Sequence, residues 1–428
     1  MRVENSFVID SKNNFHQKAL QWAAQFDEVS YLRSNDYQDQ WSEFECLVAV
    51  KATFTYISTG NHTFQEVQDF IAHHPDTYIP GFFSYDLKNE IEELSTIHSN
   101  HLDFPLAYFF VPAIVIKIKG NKITITAEDP NQIHQSIVDF QLKSDNIGFN
   151  GKIKSRWTKA EYIAAFNKMQ DHIQRGDIYE VNLCQEFFAE NITLNPVAAY
   201  EKLNSISPTP FSAFFKFSDK FILSASPERF LAKRNNQLIS QPIKGTAKRG
   251  KTNEEDEQII LEMLNSKKEI AENVMIVDLV RNDLTRSAVP KSVKANRLFE
   301  IQTFKLVHQM ISTITSEKRD DVTDLEAIKN TFPAGSMTGA PKIAAMRICD
   351  QVEAAQRSVY AGSIGYFAPN GNFDFNVVIR TILYNSQNNY LSFQTGGAIT
   401  SQANADDEYQ ECLLKANGML KALDSQIN

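Results

Sequence analysis

The chain has 428 residues, a net charge of −9 and a pI near 5.6. That balance argues against nucleic acid or an anionic membrane surface as the main partner. A hydrophobic fraction of 43% with thirty phenylalanines supplies core for one elaborate domain or two interlocked ones.

No long uncharged apolar run occurs; residues 104–118 come nearest and are broken by Pro105, Pro112 and Lys117. The N-terminal segment, with Arg2, Glu4 and Asp10, lacks a signal-peptide core. Cys46, Cys184, Cys349 and Cys412 lie far apart, with the spacing of neither a zinc site nor a disulfide framework. The expectation is a cytoplasmic protein with no membrane contact.

Taken in order, residues 1–150 carry fold signals and little chemistry. Segments 7–10, 45–56, 78–85 and 107–118 read as strands, being rich in β-branched and aromatic residues. Segment 123–127 alternates after Gly120-Asn121, a hairpin signal. His73 and His74 precede Pro75 in a loop, without a spaced third metal ligand. The polar segment 143–154 divides an N-terminal region, 1–150, from a second region, 151–428, the two expected to interlock in one globule.

Thr158 and Glu161 have capping-box spacing, Ile163, Phe166, Met169 and Ile173 keep helical period, and Gly176 stands where a helix ends. Segment 177–183 alternates as a strand, Pro208-Thr209-Pro210 is loop, and strand signals run through 221–230. Beyond them Gln241-Pro242-Ile243-Lys244-Gly245-Thr246 sets one lysine between a proline and a glycine, a tightly specified turn. Alone, such a lysine is an ordinary solvated charge.

Stretch 254–282 is strongly charged and turns apolar at 274–277; in it Glu269 and Glu272 project from one helix face. Glu408 and Glu411 repeat that spacing, with Lys415 one turn on. Such pairs are commonly solvated faces, but two converging pairs would suit Mg²⁺. The glycine-rich turn 331–342, which contains Thr338, opens a helix through 345–352 and offers backbone N–H groups to a carboxylate or phosphate. It lacks P-loop spacing.

The last segment reads as a meander of strands 362–367, 373–384 and 390–399. In the middle strand Asp374, Asn376 and Arg380 share the polar face, which leaves Arg380 available for bidentate carboxylate binding. Gly396 and Gly397 follow, where missing side chains would let a ligand touch the backbone. His308 is the only histidine after His172, structural or ligand-binding.

These residues assembled, the chain resembles the chorismate-utilising enzymes, most closely their aminodeoxychorismate synthase component I branch. The resemblance is close over 157–421 and loose before it. It rests on Ser224-Ala225-Ser226-Pro227-Glu228-Arg229-Phe230, Pro242-Ile243-Lys244-Gly245-Thr246, Ala271-Glu272-Asn273, the 332–342 turn and Glu408-Tyr409-Gln410-Glu411. It implies an α+β fold of two large, mainly antiparallel β-sheets packed as a sandwich with helices outside.

The resemblance further implies a Mg²⁺-dependent chorismate site. By position Glu272 and Glu411 match its metal ligands and Glu269 and Glu408 their supports. Arg380, Gly396 and Gly397 match the clamp on the substrate carboxylates, and Thr246, His308, Thr338 and Lys415 join the substrate-binding set. Glu228 matches the general acid that protonates the departing C4 hydroxyl. Lys244 matches a covalent nucleophile at ring C2, where anthranilate synthases carry alanine. To attack it must be neutral, so burial near the metal is expected to depress its pKa.

Glu180 stands where water-using relatives place a water-activating lysine and many aminodeoxychorismate synthases place glutamine. The resemblance thus implies conversion of chorismate and ammonia to 4-amino-4-deoxychorismate for 4-aminobenzoate and folate synthesis. No Gly-x-Cys-x-Gly elbow surrounds any cysteine, so ammonia would come free or from a separate glutamine amidotransferase subunit. The alternatives are an anthranilate synthase component I and a non-catalytic chorismate-binding paralogue.

Overall fold

A computed structural model describes residues 2–9, 12–143 and 146–428. Among them twenty strands join in one hydrogen-bonded network, and every pairing between strands is antiparallel. The fold is α+β, as the resemblance implies.

The network forks at the long strand Ala107–Lys119. One edge pairs along its length with Cys46–Ile57. The other edge is shared between Ile79–Phe83 and Lys122–Ala127. From Cys46–Ile57 a first sheet continues through Glu28–Arg33, Phe211–Phe217, Lys220–Ser226, Thr381–Asn385 and Tyr390–Thr400 to Glu180–Glu190. From Ile79–Phe83 a second sheet continues through Ser363–Phe367, Phe373–Val377, Arg229–Arg234 and Gln237–Gln241 to Val307–Glu317 and Lys294–Thr303.

Phenylalanine fills the space between the sheets. Phe82 of the second sheet meets Phe215 and Phe217 of the first at ring separations of 5.8 and 5.7 Å. Phe83 and Phe109 pack on Phe375. All of these rings are buried. Helices cover the outer faces: Pro196–Ile206 and Ala405–Ala422 lie on the first sheet, Lys267–Thr285 on the second.

Local chemistry explains most element ends. The capping box at Thr158 and Glu161 starts helix Lys159–Arg175, and Gly176, at φ 81°, ends it. Strand 45–56 is observed as Cys46–Ile57 and 107–118 as Ala107–Lys119. The described part of 7–10 falls at the end of Val3–Val8, and Asp10 lies outside the described residues. Segment 143–154 contains residues 144 and 145, which also lie outside them.

Stretch 254–282 is two helices, Asn253–Asn265 and Lys267–Thr285, divided at Ser266, whose side chain accepts from the Glu269 N–H and caps the second, and Glu269 and Glu272 share that second helix. Two expectations need correction. Segment 373–384 is two strands, Phe373–Val377 and Thr381–Asn385, because the chain passes there from one sheet to the other. Lys244 lies on strand Ile243–Lys248, beside a bulge where Gly245 adopts φ 94°, and not on a turn.

Two of the short connections cross between the layers: 227–228, between Lys220–Ser226 and Arg229–Arg234, and 378–380. They are tied together, the Val377 N–H donating to the Glu228 carbonyl at 3.0 Å and the Ala225 N–H to the Arg380 carbonyl at 3.2 Å.

Candidate active site

Glu228 and Arg380 sit on these crossovers, where a strand leaves its sheet and its side chain turns toward the gap between the layers. A cleft of about 970 Å³, partly open to solvent, lies against them. Its walls carry Lys244 and Thr246 from the bulged strand, Glu269 and Glu272 from helix Lys267–Thr285, Gly396 from strand Tyr390–Thr400, and Glu408, Glu411 and Lys415 from helix Ala405–Ala422. Residues distant in sequence thus line one space.

Glu228 is buried, and its carboxylate accepts from the Ser336 hydroxyl at 2.6 Å. Burial pushes its pKa up to about 7, against the smaller opposing pulls of Ser336, the Ile243 backbone, Lys244 and Arg380. A carboxyl that holds its proton near neutrality is suited to general acid work. Arg380 has φ 51° and a pKa lowered by burial, which the Glu228 charge offsets only in part. Among the described residues its guanidinium makes no hydrogen bond or ion pair with the protein. It faces the cleft as a free anion receptor.

Lys244 is buried, and its Nζ donates to Glu180 Oε1. Its pKa is raised, contrary to the expected depression. Burial drives it down, but the charges of Glu180, Glu272 and Glu228 and the Glu180 hydrogen bond outweigh that effect.

The two glycines serve the protein itself. A Cβ on Gly396 would lie 2.3 Å from the Leu183 carbonyl, so this glycine permits strand pairing, and its own carbonyl accepts from Lys415 Nζ at 2.8 Å. A Cβ on Gly397 would lie 2.4 Å from Glu408 Oε2, so this glycine makes room for that carboxylate. Gly397 itself does not line the cleft. Nor does His308, whose ring is held by Asp256 at 2.8 Å and Thr303 at 2.9 Å, or Thr338, whose hydroxyl donates to the Gly335 carbonyl at 3.1 Å. From the 331–342 turn, Ser336 and Met337 line the cleft in place of the helix start.

Among the described residues no three acidic, histidine or cysteine side chains stand close enough to form a ready metal cluster. The donor set nevertheless fits a hard cation. Glu269, Glu272, Glu408 and Glu411 supply carboxylate oxygens along one wall, and Glu408 Oε2 is buried with no hydrogen-bond partner. Gly245 and Gly397 leave the space that Glu269 and Glu408 occupy. Lys415 pairs with Glu411 at 2.7 Å and Lys268 approaches Glu272 at 3.9 Å.

Sequence reasoning missed Lys268, Asn182, Gln309, Tyr360, Gln394 and Thr395, which also line the cleft. Ser336 lay within a quoted motif, but nothing in sequence joined it to Glu228, 108 residues away.

A family profile described as chorismate binding enzyme matches residues 6–421, and the chain belongs to that family. It is 33% identical over 425 residues to aminodeoxychorismate synthase component 1 of Salmonella typhimurium, covering 92% of each chain. It is equally 33% identical, over 365 residues, to anthranilate synthase component 1 of Cereibacter sphaeroides, covering 80% of this chain and 72% of that one. Aminodeoxychorismate synthase of Streptomyces griseus is 42% identical over 277 residues, 64% of this chain, which spans only 38% of that longer protein. Among solved structures, anthranilate synthase component I of Streptococcus pneumoniae superposes with a TM-score of 0.78 at 27% identity, covering 90% of this chain and 93% of that one. The protein is thus a chorismate-utilising enzyme by family and by fold.

Proposed function

We propose that the protein is an aminodeoxychorismate synthase component, converting chorismate and ammonia to 4-amino-4-deoxychorismate and water. The observation that carries this reading is Lys244, a primary amine on the wall of the cleft that also holds Glu228 and Arg380.

Arg380, an unpaired guanidinium, receives a substrate carboxylate. The neutral Lys244 amine attacks ring C2 while the two conjugated ring double bonds shift and the C4–O bond breaks. Glu228 gives its proton to the departing hydroxyl, which leaves as water. Ammonia then adds at C4, both double bonds return, the C2–N bond to Lys244 breaks to restore the free amine, and the new C4 ammonium gives a proton back to Glu228. The enolpyruvyl group stays on the product. Glu272 and Glu411, supported by Glu269 and Glu408, would hold Mg²⁺, which when bound supplies positive charge for the anionic substrate. Ammonia would arrive free or from a separate glutamine amidotransferase subunit, and the reaction would take place in the cytoplasm.

The equal identity to an anthranilate synthase component supports a second reading, in which pyruvate is released and the ring becomes aromatic. Mass spectrometry of products from chorismate, Mg²⁺ and ammonium at mildly basic pH separates the two. The expected product is one mass unit below chorismate, without pyruvate, and absent with Lys244→Ala. Anthranilate with pyruvate from the unaltered protein would overturn the proposal. Tight chorismate binding without any product would mark a binding-only paralogue.

A further inference from the structure

We propose that Glu180 tethers the Lys244 amine as an ammonium ion and is the residue that governs its release for attack. The consequence for attack rests on the function proposed above for Lys244, whereas the tether stands on geometry alone.

Glu180 opens strand Glu180–Glu190 and is fixed on both sides, its backbone being in register with Ala340 and with Thr400. A Cβ on Gly339 would lie 2.2 Å from the Glu180 carbonyl, so the 331–342 turn closes directly upon it. The side chain is 2% exposed. Oε1 accepts from Lys244 Nζ, and Oε2 is buried with no partner among the described residues. The carboxylate therefore has one hydrogen-bond partner, and that partner is the amine.

Other charges surround Lys244. Glu228 faces it from the crossover, Glu269 and Glu272 from helix Lys267–Thr285, and Glu411 from helix Ala405–Ala422. Arg380 offsets Glu228, while Lys268 and Lys415 offset the helix glutamates. Among the described residues Glu180 is the only carboxylate that bonds the amine directly. With Glu228, it stands apart from the four glutamates that the two helices bring to the cleft.

A buried ammonium against a carboxylate is held in its charged form, and a charged amine has no lone pair for attack. Glu180→Gln keeps the size and an oxygen able to accept from Lys244, but removes the charge. Burial then favours the neutral amine. The rise of kcat/KM with pH is expected to move toward lower pH by about one unit or more, and the rate at neutral pH to increase. Glu180→Asp, which keeps the charge but withdraws it by one methylene, is expected to give a smaller shift of the same sign.

A second readout needs no turnover. The pH dependence of acetylation of Lys244 by acetic anhydride, mapped by mass spectrometry, is expected to shift in the same direction and order across the three proteins. An acetylation midpoint unmoved in whichever folded variant is obtained would overturn the tether. A shifted midpoint with an unmoved rate profile would overturn the role in attack. Should the unaltered protein make no aminodeoxychorismate, the functional reading of Lys244 falls, and acetylation alone decides the tether.

Discussion

Glu228 combines burial with a proposed role that needs a proton, and both effects turn on the same pH range. As an acid it is competent while protonated, so the turnover it supports is expected to decline as pH rises through about 7. Glu228→Gln should lower kcat by about 10²–10⁴-fold and leave a profile without that descending limb. Stability moves with the same group. Its folded pKa is raised above the ordinary 4.5, so its contribution is fully present below that value and is lost as pH rises toward about 7. Urea titrations at pH 5 and pH 8 should therefore show a smaller loss of stability for Glu228→Gln than for the unaltered protein. Glu228, Lys244 and the four wall glutamates were legible as residues because each lies in a motif with a specific chemistry. The Glu180–Lys244 pair was not, since its partners are 64 residues apart and meet only through sheet register. The direction of the Lys244 pKa followed from that unseen contact.

Elements were legible where local signals end them and obscure where the sheets decide. The box at Thr158 and the glycine at 176 act within a few residues, and the helix between them is as the spacing predicts. The break at 378–380 carries no glycine or proline, and its cause is the passage of the chain between layers. His308 shows the same limit, for its ring is held by Asp256, 52 residues away, a contact no local signal announces. The bulge before Thr246 ties element to chemistry. Gly245 at φ 94° lets the strand kink beside Lys244, and a Cβ there would stand 2.7 Å from Glu269 Oε2. Gly245→Ala is expected to cost about 1–2 kcal/mol from backbone conformation alone. It should also displace Glu269, weakening Mg²⁺ binding in calorimetry. Unchanged stability and unchanged Mg²⁺ affinity would show that the bulge does not support the wall.

At the scale of the molecule, α+β composition and abundant phenylalanine were visible in sequence, but the path of the sheets was not, because non-local pairing leaves no periodicity. Glu28–Arg33 pairs with Phe211–Phe217 and Ile79–Phe83 with Ser363–Phe367, so strands from before residue 150 are built into both sheets. We expect regions 1–150 and 151–428 to unfold together. Phe82 is the sharpest probe: it comes from the first region, and its ring lies on Phe215 and Phe217 from the second. Phe82→Ala should cost about 3–5 kcal/mol. If the regions share one core, that loss must appear as a single shifted transition. Intrinsic fluorescence and far-ultraviolet circular dichroism should then give the same urea midpoint, displaced equally by the substitution. Two separated midpoints, only one of them moved, would mean that the region containing Phe82 folds on its own. The crossovers that carry Glu228 and Arg380 would then depend on the second region alone, and a fragment of residues 151–428 should bind chorismate.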